Sequence, residues 1–400
     1  MATYVYKAKN LKGEELAGTF DGVSTEALEL MLKEKGYFIV KASKQSPQIS
    51  LGNFFGKITV KQLAVFCRQF SVLINAGVTI VEAVGILREQ MDNKQLQKVL
   101  GEMHEELQKG RVLSESMSGF PEAFPDFMMN MIKVGEASGS LDTILNRLAD
   151  FYENDARIRR KVKEAMTYPI ILAVMTVGVV ILLLVKIIPM FSGILSELGG
   201  QLPLITKILV GLSNFLTSNF LILTLIIVGL VVGFNAWKRT ESGTLEMDRL
   251  ILRLPVISGL TKKVITARFA RSLAVLLQSG IAIIESMDII SDLIGNKAIE
   301  EKFVACQEEI REGKGISEPL KNINIFPPLL IHMVAVGEST GELDDMLFRT
   351  AGFFDDEVEE AIVRMTTLIE PAMIVIMAAV VGIVILSVML PMISVLNAVQ

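Results

Sequence analysis

The strongest constraint on this chain is that one long pattern is written along it twice. Residues 135–141 read Gly-Glu-Ala-Ser-Gly-Ser-Leu, and residues 337–343 read Gly-Glu-Ser-Thr-Gly-Glu-Leu. Each is followed by a charged stretch, then a proline, then a long apolar run that closes on another proline: Pro169 to Pro189, and Pro371 to Pro391. Gly135 and Gly337, Pro169 and Pro371, and Pro189 and Pro391 all stand 202 positions apart. Register held over that distance means duplication. A duplicated unit that ends in an apolar run is one anchored twice in lipid.

Composition supports this frame. Of the 400 residues, 51% are hydrophobic, and the mean hydropathy is +0.49, too apolar for an ordinary soluble protein. Charged residues still make up 21%, so large parts face water. A net charge of −5 leaves no footprint for nucleic acid. Cys67 and Cys306 have no metal-ligand spacing and read as structural thiols of a reducing compartment. His104 and His332 are the only histidines, which leaves little material for a His-based metal site or a Ser–His relay. No nucleophile–base–orienter set and no cofactor fingerprint emerges, so the expectation is a non-enzyme without cofactor or metal. The first ten residues lack the apolar core of a secretory signal, and everything before the first span is expected to stay in the cytoplasm.

Three segments are long and apolar enough for the roughly 20 residues of helix that a bilayer requires: 168–190, 215–236 and 371–396. Basic residues set their direction. Arg157, Arg159, Arg160, Lys161 and Lys163 precede the first span; the connection 191–214, expected as a short external loop, holds only Lys207; Trp237, Lys238 and Arg239 follow the second span. The consistent solution puts the N-terminus and both large domains in the cytoplasm. The odd span count follows from the duplication. Two parallel repeats each leave the cytoplasm, so one unmatched helix must bring the chain back.

Residues 1–50 read as a small αβ module, with strand-like segments at 3–9, 15–20 and 37–41 and a helix from Ser24 to Glu34 stopped by Gly36. Residues 44–56 read as linker. Residues 57–167 form a first helical bundle: Thr59 and Gln62 make a capping box, Thr79 and Asn93 cap later helices, and Gly77, Gly110, Pro121 and Pro125 punctuate turns. Residues 237–370 repeat it, with Gly280 and Gly313 as counterparts of Gly77 and Gly110. Each bundle is large enough to bury its own core. The fold class expected is an all-α membrane protein with two homologous cytoplasmic bundles, three transmembrane helices and the N-terminal module.

Several positions invite a functional reading. Gly135, Glu136 and Gly139, with Gly337, Glu338 and Gly341, are not a phosphate loop: no lysine follows the second glycine. The glycines suit helix ends in left-handed geometry. Glu136 and Glu338 either accept from backbone amides in the turn or contact a partner. Tyr168, Pro169, Glu370 and Pro371 mark the junctions of bundle and membrane, where each proline is either a tolerated kink or a fixed bend. Glu370 is either an interfacial carboxylate or an interhelical acceptor. Lys186 reads as a lysine that snorkels to headgroups, with a transport role as the rival. Residues 153–164 carry five cations and three anions; residues 355–364 carry five anions and one cation. The acidic stretch, with Asp355, Asp356 and Glu357, is expected to face a basic surface on the first repeat or on another protein, against the plain alternative of a solvated helix face.

The stretch Lys161-Val-Lys-Glu-Ala-Met-Thr-Tyr-Pro169, continuing through Thr176 and Leu183 to Ile187-Ile-Pro189, resembles the signature of the inner-membrane platform family of type II secretion systems and type IV pili, the PilC/GspF family. Tyr4-Val-Tyr-Lys-Ala8 with Gly13 and Gly18 is similar to that family's N-terminal module, and Ile-Glu-Pro371 suits its second repeat. The resemblance implies a non-enzymatic, homo-oligomeric platform in the bacterial inner membrane. It implies as partners a hexameric cytoplasmic assembly ATPase, pilin or pseudopilin transmembrane helices, other inner-membrane components of the machine and the lipid bilayer. A small transporter and a passive tether for a cytoplasmic enzyme are the rival readings.

Overall fold

A computed structural model describes residues 2–10, 15–22, 37–44, 58–190, 193, 204–238 and 240–399, which fall into two compact units. The first holds three antiparallel strands, β1 (Ala2–Asn10), β2 (Glu15–Gly22) and β3 (Tyr37–Lys44), in the order β2-β1-β3. Tyr4 pairs with Phe20, and the pairing of β1 with β3 shifts between Lys7 and Ala8. The helix expected from Ser24 to Glu34 and the linker beyond Lys44 lie outside the described residues.

The second unit is helical. Its first repeat runs α1 (Val60–Asn75), α2 (Ile80–Gln90), α3 (Lys94–Gln108), α4 (Leu113–Ser118), α5 (Asp126–Ser138) and α6 (Leu141–Leu182). Next come α7 (Leu204–Ser218), α8 (Phe220–Lys238) and α9 (Glu241–Arg253). The second repeat follows as α10 (Pro255–Gln278), α11 (Ile283–Leu293), α12 (Lys297–Arg311), α13 (Ser317–Asn322), α14 (Pro328–Thr340) and α15 (Leu343–Val399). Local chemistry sets the boundaries. Thr59 and Gln62 form the reciprocal capping box on α1, and Thr79, Asn93 and Asn296 accept from the first-turn amides of α2, α3 and α12. Gly77 and Gly280 take φ of 82° and 83° after α1 and α10, a left-handed geometry that costs a side-chain-bearing residue energy.

The apolar stripes of these helices meet in one core. Phe66 packs on Phe124 at 5.7 Å between centroids, and their counterparts Phe269 and Phe326 stand 4.8 Å apart. The buried residues of both repeats form a single continuous cluster. A smaller cluster of Ile158, Leu260, Val358, Ile362 and Met365 ties α6, α10 and α15 together beyond it.

The two copies differ by one residue. Counterparts up to Gly110 and Gly313 are 203 apart, whereas those from Pro125 and Pro327 onward are 202 apart. The loss falls in the turn that precedes α14. There Asn324 adopts φ 56°, the one non-glycine residue with positive φ among those described. Asparagine is among the few residues that tolerate this conformation.

Among the described residues, two helices are long and apolar enough to cross a membrane: residues 141–190, which are α6 and its continuation, and α15. The first continues through a π-turn, Leu183–Ile187, to Met190. α8 is a third, shorter apolar helix. The expected loop 191–214 is helical from Leu204, and the second apolar helix proper begins after a break at Asn219. Its apolar character gives α7 a face to bury, and Ser213 on that face is fully buried and donates to the Leu184 carbonyl in the π-turn. Pro189, five residues after Leu184, has no N–H to offer that carbonyl, and this hydroxyl takes its place.

Candidate functional site at the junction of the two repeats

The duplicated glycine turns do two separate jobs. Gly139 and Gly341 end α5 and α14 with φ of 69° and 78°. Gly135 and Gly337 lie one turn earlier, where the next helix crosses closely. A Cβ on Gly135 would stand 3.0 Å from Ile144 Cγ1, and one on Gly337 only 2.7 Å from Leu343 Cα. Glu136 and Glu338 are backbone acceptors, but the amides are not in their own turns. Glu136 accepts from the N–H groups of Leu113 and Ser114 at 2.6 and 2.9 Å, and Glu338 from those of Ile316 and Ser317 at 2.9 and 3.4 Å. Each carboxylate caps the start of the short helix α4 or α13, where N–H groups are unpaired.

The charged stretches meet at the junction. In the first repeat Arg68 of α1 clamps Glu153 of α6, with Nε–Oε1 at 2.7 Å and a terminal nitrogen to Oε2 at 2.8 Å, and also reaches Asp150 at 2.6 Å. In the second repeat the counterpart Arg271 of α10 bonds Asp355 of α15. The first cluster is exposed. The second is buried beneath α6, whose Asn154 donates to Asp355 at 3.0 Å and whose Asp155 accepts from Arg268 at 3.0 Å. Further along, Lys161 of α6 pairs with Glu359, and Lys263 of α10 with Glu357. Asp355, Glu357 and Glu359 thus find their cations on α6 and α10 of the same chain, while Asp356 stays exposed. Arg157 donates to Asn154, Arg159 pairs with Asp155 at 2.9 Å, and Arg160 lies 3.8 Å from Glu164.

Burial decides the electrostatics. Loss of water pushes the Asp355 carboxyl up despite Arg271, and its second oxygen has no hydrogen-bond partner among the described residues. The exposed Glu153 is instead held below the usual carboxylate range by the Arg68 hydrogen bonds. Burial also raises both thiols, Cys306 to about 12, which leaves them protonated and unreactive. No group of three or more His, Cys, Asp or Glu residues that could hold a metal occurs among the described residues.

Pro169 and Pro371 both lie inside unbroken helices. Pro169 is buried, whereas Tyr168, Glu370 and Pro371 are exposed. Lys186 is exposed in the π-turn, Pro189 is half-buried near the end of that helix, and Pro391 lies within α15. The junction also uses Asn154, Lys161, Lys263, Arg268 and Arg271, of which sequence reasoning singled out none as partner-facing. The repeat itself held the signal for one pair. Arg68 and Arg271 are 203 apart and Glu153 and Asp355 are 202 apart, the same offsets as the two halves of the motif.

The fold and this site define a class: a tandemly duplicated helical protein whose two water-facing bundles run continuously into apolar helices. Family models agree. The model for the type II secretion system (T2SS), protein F matches twice, at residues 66–189 and 269–391, and that for the type II secretion system protein F N-terminal domain matches residues 1–43. The chain belongs to this family, shared by proteins named PilC and protein F. It is 35% identical to a type IV pilus assembly protein PilC of Thermus thermophilus, over 99% of both chains. It is 35% identical to PilC of Myxococcus xanthus, over 100% of this chain and 96% of the relative. It is 31% identical to a type II secretion system protein F of Vibrio cholerae, over 99% of both.

Proposed function

We propose that this chain is the inner-membrane platform of a type IV pilus or type II secretion machine, and that it couples a cytoplasmic assembly ATPase to the insertion or extraction of pilin or pseudopilin subunits. It does so without chemistry of its own. One observation carries the reading: α6 and α15 are each a single helix from bundle to apolar segment, and the bundles are clamped together by Asn154, Asp355, Arg271, Lys161 and Glu359 where those segments begin. A force applied to a bundle reaches the membrane along a continuous rod. Helices are stiff, and packed interfaces pass displacement on rather than absorb it.

Pro169 and Pro371 sit where each rod enters its apolar half. A proline removes one backbone hydrogen bond and pushes its ring against the preceding turn, which fixes a bend. Replacing both with alanine restores those backbone hydrogen bonds and removes the ring clash. The expected outcome is a chain that inserts, binds the ATPase in co-purification and supports little fibre assembly. Normal fibre assembly by Pro169→Ala/Pro371→Ala would remove the bends from the mechanism, and loss of ATPase co-purification with the unaltered chain would remove the platform role itself.

A further inference from the structure

The contact between the two repeats joins unlike faces of equivalent helices. On α6 it uses Asn154, Ile158 and Lys161; on α15 it uses Asp355, Val358, Glu359 and Ile362. Carried back by the repeat offset, the α15 set falls at positions 153, 156, 157 and 160 of α6. At about 100° per residue those positions centre roughly 115° around the helix from the face that α6 itself uses, so the two faces are distinct. The two helices run parallel, because Asn154 meets Asp355 and Lys161 meets Glu359 in ascending order.

A head-to-tail contact between equivalent units leaves one unused face at each end. At one end lies the α1–α6 face of the first repeat, and at the other the outer face of α15. Both expose apolar groups whose counterparts are buried. Val72 on α1 is 58% exposed, whereas its counterpart Val275 is 6% exposed; Phe353 on α15 is 48% exposed, whereas its counterpart Phe151 is 4% exposed. The charges are complementary in part. Arg157, Arg160 and Lys163 stand exposed on the first face, and Asp356 and Glu360 on the second. Glu360 is the counterpart of Ile158, and Arg160 that of Ile362, which clusters with Ile158. Repeating the internal contact therefore brings Glu360 beside Arg160, and it sets Asp356 against Glu153, whose charge Arg68 already offsets.

We infer that the α1–α6 face of one copy receives the α15 face of a second copy of this chain, so that the contact between repeats recurs between chains. Because the joined helices are parallel, the operation that relates the copies keeps each of them the same way up in a bilayer. This goes beyond the platform reading and does not depend on which machine the chain serves.

The counterpart of the Lys161–Glu359 pair is Val363 with Arg157. With a cysteine at one of these positions on each chain, a disulfide between them reports only on neighbouring copies. Two differently tagged full-length chains, one carrying Arg157→Cys and the other Val363→Cys, are co-expressed and oxidised in native membranes. The natural cysteines are buried. The expected product is a disulfide-linked hetero-pair, well above either variant alone and above a control pair in which Val304→Cys on exposed α12 replaces Val363→Cys. Adding Arg160→Glu to one chain lowers the yield about two- to fivefold, the range of an exposed ion pair. Adding Glu360→Arg to the other restores it. A yield equal to the Val304→Cys control, an equally strong product from Arg157→Cys alone, or failure of the paired charge reversal to restore would each overturn the proposal. All altered residues are exposed, and retained helicity of the purified chains confirms folding.

Discussion

Arg68 and Arg271 occupy equivalent positions and hold equivalent carboxylates, yet the carboxylates shift in opposite directions. For Glu153 the arginine wins, because water still reaches the pair. For Asp355 desolvation wins, because α6 lies across it. The stability consequences have opposite signs. Glu153 titrates lower when folded than when unfolded, so its contribution is present above the unfolded value of about 4.3 and fades as the pH falls through the depressed folded value. Asp355 titrates higher when folded, so the folded state holds the extra proton in the window above about 3.9, and its contribution declines as the pH rises through that window. Thermal unfolding of the purified chain from neutral pH down to about pH 3 checks this. Glu153→Gln should lower the midpoint at neutral pH, with the gap closing in acid. Asp355→Asn should lose most relative to the unaltered chain in acid, with the gap narrowing as the pH rises. Parallel curves for either variant would contradict the assignment. At this scale the sequence reveals which residues matter better than what they touch. Glu136 reads as an acceptor of amides in its own turn, but those amides are on α4, more than twenty residues earlier. Spacing along the chain carries no information about that contact.

At the scale of elements, hydropathy and caps place most helices, because these are local properties. The capping box at Thr59 and the glycine stops at Gly77, Gly139, Gly280 and Gly341 all lie where the structure ends or begins a helix. The π-turn and the start of α7 are different. In the 183–187 stretch Ile188 N–H bonds the Leu183 carbonyl and Pro189 has no N–H for that of Leu184, whose donor, Ser213, is supplied by another helix. An apolar window cannot see it, so 204–214 reads as loop. Removing the hydroxyl tests the arrangement. Ser213→Ala leaves the Leu184 carbonyl with a poorer partner in a non-aqueous setting, at a cost of about 0.6–2 kcal/mol. The expected outcome is a lower unfolding midpoint in detergent and faster hydrogen exchange confined to residues around 183–188 and 213. Unchanged exchange there would mean that the π-turn stands without Ser213.

At the scale of the whole molecule, the duplication is legible from sequence but the way the copies meet is not. Periodicity tells which residues of α6 and α15 are apolar; it does not tell that different faces of the two equivalent helices meet, since both faces near the membrane are mixed in character. The parallel contact has a topological consequence. Asn154 and Lys161 meet Asp355 and Glu359 in the same order, so α6 and α15 leave the bundles in one direction. If both then cross the bilayer, the chain between them must cross once more in reverse, and α8 is the apolar helix available for it. Its last turn carries Trp237 and Lys238, an interfacial aromatic followed by a cation, which suits the end that returns to the cytoplasm. Single cysteines at Glu164 and Arg364, both exposed beside the apolar halves, should therefore react with a membrane-impermeant maleimide from the same side, the cytoplasmic one, and only after the membrane is opened. A cysteine introduced at position 200, between the first two apolar helices, should react in intact cells with the outer membrane permeabilised. Opposite labelling of positions 164 and 364 would be incompatible with the contact between α6 and α15, because a helix pair joined in parallel by Asn154–Asp355 and Lys161–Glu359 cannot enter a membrane from two sides.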